Sequence, residues 1–179
     1  EKLSPSDKVV YYPQIFVLPP AGTQRIRVGV SGTPTTKEQA YRLIVQELPP
    51  NAAGATGVTF VGRVDMPVFV PPGDSIAQTR VPKFVSLTAA RGVLRAVLTN
   101  EGTIHLRQST LTIAGTDASG NVIWHDTKQV FYVLPDSVQN ASDPIPVSIC
   151  SRLRSVAVRW TLRDNAGTLD STTRVGSCK

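Results

Sequence analysis

The sequence predicts an all-β chain of two sandwich domains, and three observations carry that prediction. Residues alternate with period two: Gln24, Ile26, Val28 and Val30 against Arg25, Arg27 and Gly29, then Tyr41, Leu43 and Val45 against Arg42, Ile44 and Gln46. Such alternation is what a strand with one buried face produces. Turn-forming clusters punctuate these runs: PPAG, SGTPTT, PPNAAGATG, PPGD, TNEG, DASGN, LPDS and RDNAG, rich in the residues that set turn geometry. No segment long enough for an ordinary helix carries an apolar stripe at helical spacing.

Taken in order, the run ending at Val30 and the run from Tyr41 to Gln46 read as strands, and 58–70, VTFVGRVDMPVFV, is the best patterned. Eleven of the 14 prolines precede residue 83, and VPPGDSIAQTRVPK (70–83) has the composition of a linker. The division is therefore a first domain at 1–75, a linker at 76–82 and a second domain at 83–179. Beyond the linker, strands are expected at 93–98, 106–113, 122–124, 130–134 and 156–162. The length and strand density there fit one immunoglobulin-like sandwich. The first domain has too few strands for two sheets and is expected to be incomplete at its N-terminus, with strands ahead of Glu1 or supplied by another chain.

Composition narrows the function. With 179 residues, 41% hydrophobic and 18% charged, the chain is neither disordered nor fibrous. It has no apolar run long enough to span a bilayer, so no membrane insertion is expected, and EKLSPSDKVV lacks the features of a signal peptide. The net charge of +6 is spread over single arginines, among them Arg25, Arg27, Arg42, Arg63, Arg95, Arg107 and Arg159. Without a basic run, a nucleic-acid partner is not expected. Cys150 and Cys178, with no CxxC and only two histidines, speak against zinc and for a disulfide. On the chain-entropy model such a bridge stabilises by about 3 to 4 kcal/mol, and it places the chain in an oxidising compartment. No cofactor or metal site is expected.

Within 58–70 the even positions Val58, Phe60, Val64, Met66, Val68 and Val70 form an apolar face broken at Gly62, and Pro67 removes a main-chain donor. Proline inside a sheet belongs at an edge, so the stretch reads as an edge strand. Two readings stay open: Arg63, Asp65 and Pro67 blunt the edge against aggregation, or the edge is offered to a partner's sheet.

Three stretches in order carry a family resemblance. LSPSDKVVYYPQIFVLPPAGTQRIRVGV (3–30) resembles a D.L.PS turn followed by P.iF.l.PG..Q.iRv; KEQAYRLIVQELPP (37–50) resembles E.aYRl.v.ElP; GRVDMPVFV (62–70) resembles lR.s.PvFv. TNEGTIHLRQSTLTI and FYVLP in the second half are similar to N.G..h.r...l.l and YvLPG. Together these resemble the PapD-like periplasmic chaperones of chaperone–usher pili, of the archaic type. The resemblance implies two immunoglobulin-like domains and a periplasmic protein that binds pilus subunits by donor-strand complementation and delivers them to an outer-membrane usher. It further implies that the first strands of domain one lie ahead of this sequence. The lent residues would be Val58, Phe60, Val64, Met66 and Val68, with Gly62 standing where the family has a large apolar residue.

Pro67 falls where P-pilus-type members carry a carboxylate-binding lysine, so Arg27 and Arg63 become candidates for anchoring the subunit's C-terminus, against the alternative of solvated strand arginines. The family's interdomain cluster maps to Glu38 and Asp164; its bridging arginine falls at Pro71, leaving the cluster broken or rebuilt with Lys83 or Arg80. Cys150 and Cys178 would tie two strands of the second domain, as in some members.

Two rival functions compete with this one. An enzyme is disfavoured because His105 and His125 lie in strand-like segments without a catalytic motif, and Trp124 and Trp160 suit a sandwich core. A pilus subunit or other sandwich-type adhesion module would share the β pattern, but this chain opens on a polar turn rather than a donor strand.

Overall fold

The computed structural model describes residues 3–48, 58, 60–163 and 167–177. Among the described residues the chain is all-β apart from one short helical turn: β1 Val9–Tyr12, β2 Arg27–Val30, β3 Gln39–Gln46, β4 Arg63–Val70, β5 Pro82–Ala90, β6 Val93–Asn100, β7 Ser109–Thr116, β8 Val122–Val130, β9 Val138–Pro144, α1 Val147–Cys150, β10 Ser155–Thr161 and β11 Thr168–Arg174. It divides into two units. The first holds 1–35 and 39–71; the second holds 36–38 and 72–179.

The described residues of the first unit form two antiparallel ladders, β1 with β2 and β3 with β4. In the longer ladder Tyr41 stands opposite Val68, Leu43 opposite Met66 and Val45 opposite Val64. Directly opposed residues share a face, so this face is a block of apolar side chains contributed by both strands. Leu43, at 8% exposure, is the one buried side chain among the described residues of the unit.

The second unit is a seven-stranded, two-sheet sandwich of immunoglobulin type. One sheet runs β5-β6-β9 and the other β11-β10-β7-β8, so the chain crosses between sheets three times, as such folds do. Inward residues alternate along the central strands: Leu94, Ala96 and Leu98 from β6, Leu111 and Ile113 from β7, Val156, Val158 and Trp160 from β10. Trp160 is fully buried, meets Phe84 edge-on with ring centroids 5.8 Å apart, and donates its indole N–H to Ser109 Oγ at 2.8 Å. A buried indole needs such a partner.

Asn100, also fully buried, acts as a junction. Its Oδ1 accepts from Val81 N at 3.2 Å and Gly102 N at 3.0 Å, and its Nδ2 donates to Ile104 O at 2.8 Å and Val133 O at 3.1 Å. A Cβ at Gly102 would lie 2.3 Å from Thr79 O, so the N-x-G spacing is a packing requirement. Residues 77–81, read from sequence as part of a linker, lie against 101–104: Thr103 N donates to Thr79 O, Glu101 N to Val81 O and Thr103 Oγ1 to Ala77 O.

Candidate functional site

The site is the open apolar face of the β3–β4 ladder together with the residues ahead of β4. Of the even-numbered set, Phe60 is 91% exposed, Val58 85% and Val64 57%, whereas Met66 and Val68 are progressively covered where they face Leu43 and Tyr41. Exposed singly, an apolar side chain means little; a row on one strand edge is a recognition feature.

Main-chain geometry explains Pro67. Glu47 N donates to Gly62 O at 2.9 Å, so the even-numbered carbonyls of this strand point toward β3. Main-chain groups alternate sides along a strand, which turns Arg63, Asp65 and Pro67 to the other edge. No strand among the described residues pairs there. The missing N–H of Pro67 therefore subtracts nothing from the β3–β4 ladder.

Regular pairing starts at Arg63 rather than at 58. The reason lies at Gly62, whose N–H is taken by the side chain of Glu47, at 2.8 Å to Oε2, instead of a ladder carbonyl. A Cβ added at Gly62 would sit 3.3 Å from that carboxyl group. Glu47 thus occupies the space left between Phe60 and Val64 and sets an anionic notch in the apolar row. Sequence reading passed over Glu47, since only the register brings it opposite Gly62.

The two anchor candidates are placed differently. Arg27 lies on β2, opposite Tyr12 in the other ladder of this unit. Arg63 forks onto Asp65, with Nε 2.9 Å from Oδ1 and Nη2 3.2 Å from Oδ2. These residues are two apart on a strand and so share a side. The hydrogen bond from Arg63 holds the Asp65 carboxyl below its usual range, outweighing an opposing desolvation cost, with lesser help from the charges of Arg63 and Arg42.

Glu38 belongs to the second unit. Its side chain is 5% exposed, and its carboxylate lies 2.8 and 2.9 Å from His105 Nδ1 while accepting from His105 N at 3.2 Å. Glu38 N donates to Thr103 O. Of the two cations considered for rebuilding the cluster, Arg80 donates Nε to His105 O at 3.1 Å and Lys83 pairs with Glu101 at 2.7 Å. Asp164 lies outside the described residues, as does Cys178, while Cys150 is buried at the end of α1. His105 carried no functional motif in the sequence; its role beside Glu38 depends on a contact across 67 positions.

Residues 1–75 match the model of the family described as pili and flagellar-assembly chaperone, PapD N-terminal domain. No curated protein matches the chain. Among solved structures it is similar to a crystal structure of Parabacteroides merdae β-glucuronidase at a TM-score of 0.30 and 13% identity, over 62% of this chain and 14% of that one. A likeness of that size bears on neither fold nor function.

Proposed function

We propose, from the match of residues 1–75 to the PapD N-terminal domain family of pili and flagellar-assembly chaperones, that the chain is a periplasmic chaperone that lends β4 and the residues ahead of it to an unfinished pilus subunit. The observation that carries this reading is the exposed apolar row of Val64 and Met66 on β4, with Val58 and Phe60 ahead of it, along a strand whose second edge is unpaired among the described residues. A subunit lacking one strand exposes its core; an inserted strand supplies main-chain hydrogen bonds and fills that core with alternate side chains. Covering a few hundred Å² of apolar surface contributes on the order of 5 to 10 kcal/mol before the costs of association.

In this reading Val68 completes the lent row, and the anionic notch formed by Glu47 at Gly62 selects a small or hydrogen-bond-donating residue on the subunit. Arg27 or Arg63 receives the subunit's terminal carboxylate. Asp65 already occupies the fork of Arg63, so an incoming carboxylate must displace it; if Arg63 is the anchor, Asp65→Asn tightens capture and Arg63→Ala abolishes that gain. Hand-over to an outer-membrane usher, a Cys150–Cys178 disulfide and the absence of enzymatic activity belong to the same proposal. Among the described residues no helix is long and apolar enough to cross a membrane.

Co-expression with the cognate subunit tests the reading. The wild-type chain is expected to yield a one-to-one complex with an unpolymerised subunit, and the Phe60→Asp/Val64→Asp double variant none, while tryptophan fluorescence of the second unit stays unchanged. Unimpaired capture by the double variant would refute strand lending, and failure of the wild type to form the complex would favour an adhesion module.

A further inference from the structure

The sandwich of the second unit gathers arginines that are scattered in sequence. Arg91 sits in the β5–β6 turn, Arg152 and Arg154 lie between α1 and β10, and Arg174 ends β11. The ladders bring them to one end: Ser155 stands opposite both Thr116 and Arg174, Arg154 N donates to Thr116 O at 2.8 Å, Val175 N donates to Arg154 O at 2.9 Å, and Arg91 N donates to Ser177 O. All four side chains are exposed. Arg154 is braced there by Nη1 bonds to Ser151 O at 2.8 Å and Leu153 O at 3.1 Å.

Asp117 in the β7–β8 turn accompanies them, its carboxylate engaged by the N–H groups of Ser119 and Asn121 at 2.9 and 3.0 Å, while Asp143, one residue from the same end of β9, is buried and paired with Lys128. Among the described residues, four arginines against Asp117 leave a surplus of three positive charges at this end. Neighbouring strands are about 4.8 Å apart and facing sheets about 10 Å apart, so the backbone positions that carry these charges lie within one or two Debye lengths, about 8 to 10 Å each in ordinary salt. Their fields add.

The same end carries an apolar side chain. Ile145 N donates to Gly92 O at 2.9 Å, which starts α1 beside Arg91, and Val147 is 93% exposed.

We propose that this end of the second unit is a docking surface for anionic lipid headgroups, held by Arg91, Arg152, Arg154 and Arg174, with Val147 at the acyl boundary. The guanidinium fork matches phosphate oxygens. Four cations on three separate segments impose no fixed spacing on their partner; mobile headgroups gather under each, whereas an acidic polypeptide would need carboxylates in register with all of them. The binding is adsorption without insertion, of the kind that basic surfaces with an apolar contact show, and it is independent of the strand-lending role of β4.

The test is co-sedimentation of the full chain with mixed phosphatidylglycerol/phosphatidylcholine vesicles and with pure phosphatidylcholine vesicles. Binding is expected to the anionic vesicles alone and to fall steeply with salt. Each Arg→Ala change at this end weakens it about fivefold, Arg91→Glu/Arg174→Glu removes it, and Lys83→Ala at the opposite end of β5 leaves it unchanged. Unaltered tryptophan fluorescence in each variant shows that folding is intact. Equal binding to both vesicle types, equal loss in Lys83→Ala, or retention of polyglutamate without retention of vesicles would overturn the proposal, the last assigning the surface to an acidic polypeptide.

Discussion

The two units use one kind of strand in opposite ways. In the second, alternating apolar residues of β6, β7 and β10 close against each other and Trp160, Leu98 and Val156 lose essentially all contact with solvent. In the first, the same alternation along β3 and β4 builds a face of Tyr41, Leu43, Val45, Val64, Met66 and Val68 that closes only around Leu43 and leaves Val64 and Met66 exposed. The contrast teaches that period-two patterning specifies a face but not its partner. Burial of that face stabilises the second unit internally; in the first, the proposed strand lending would draw on the same free energy.

The contrast is sharpest in hydrogen exchange. Amides of β6, β7 and β10 should exchange only through global opening, and those of β3 and β4 at least roughly a hundredfold faster, because few buried contacts hold that ladder. Equal protection in both units would erase the distinction. Next in size, Trp160→Ala should destabilise the second unit by about 3 to 5 kcal/mol in urea unfolding followed by Trp124 fluorescence. Phe60→Ala should change stability by less than about 0.5 kcal/mol, as an exposed position does.

Asn100→Ala should cost about 3 kcal/mol, since it strands the Val81 and Gly102 N–H groups together with the Ile104 and Val133 carbonyls in the interior. Leu43→Ala, at the one buried position among the described residues of the first unit, should fall at the low end for its type, about 2 kcal/mol, because its neighbours Tyr41, Val45 and Val68 are themselves only half-buried and can close over the gap. The smallest effect concerns pH. The Asp65 carboxyl is depressed by Arg63, so the pair stabilises above the usual carboxyl value of 3.8 and its contribution is lost as pH falls below it. An NMR titration should show the Asp65 midpoint rising in Arg63→Ala; an unmoved midpoint would detach Asp65 from that arginine.

How much of this was legible in the sequence depended on how each strand is held. β3, β4, β6, β7 and β10 announce themselves because one face of each is apolar. β9, VQNASDP, and β11, TLDSTTR, are edge strands with hardly an apolar residue; main-chain ladders to β6 and β10 define them, and those are invisible without tertiary context. β5 escaped because a bulge between Phe84 and Ser86 shifts its inward residues to Phe84, Leu87 and Ala89, breaking the period. No separate strand forms at 130–134: the one expected at 122–124 runs on as β8 to Val130, and Val133 beyond it makes a single bridge to Leu106. At the site, the apolar row and the edge character of Pro67 were readable, whereas Glu47 at Gly62, Asp65 on Arg63 and His105 on Glu38 were not.

By itself the sequence determined the β class, the apolar face of 58–70 and the motifs that carry the chaperone resemblance, because side-chain alternation and turn chemistry are local properties of the chain. Tertiary structure alone decided which faces close and which stay open, that Glu47 fills the gap at Gly62, and that Arg91, Arg152, Arg154 and Arg174 meet at one end of a sandwich. Register and sheet order set those distances, and both arise from pairings between residues far apart in sequence.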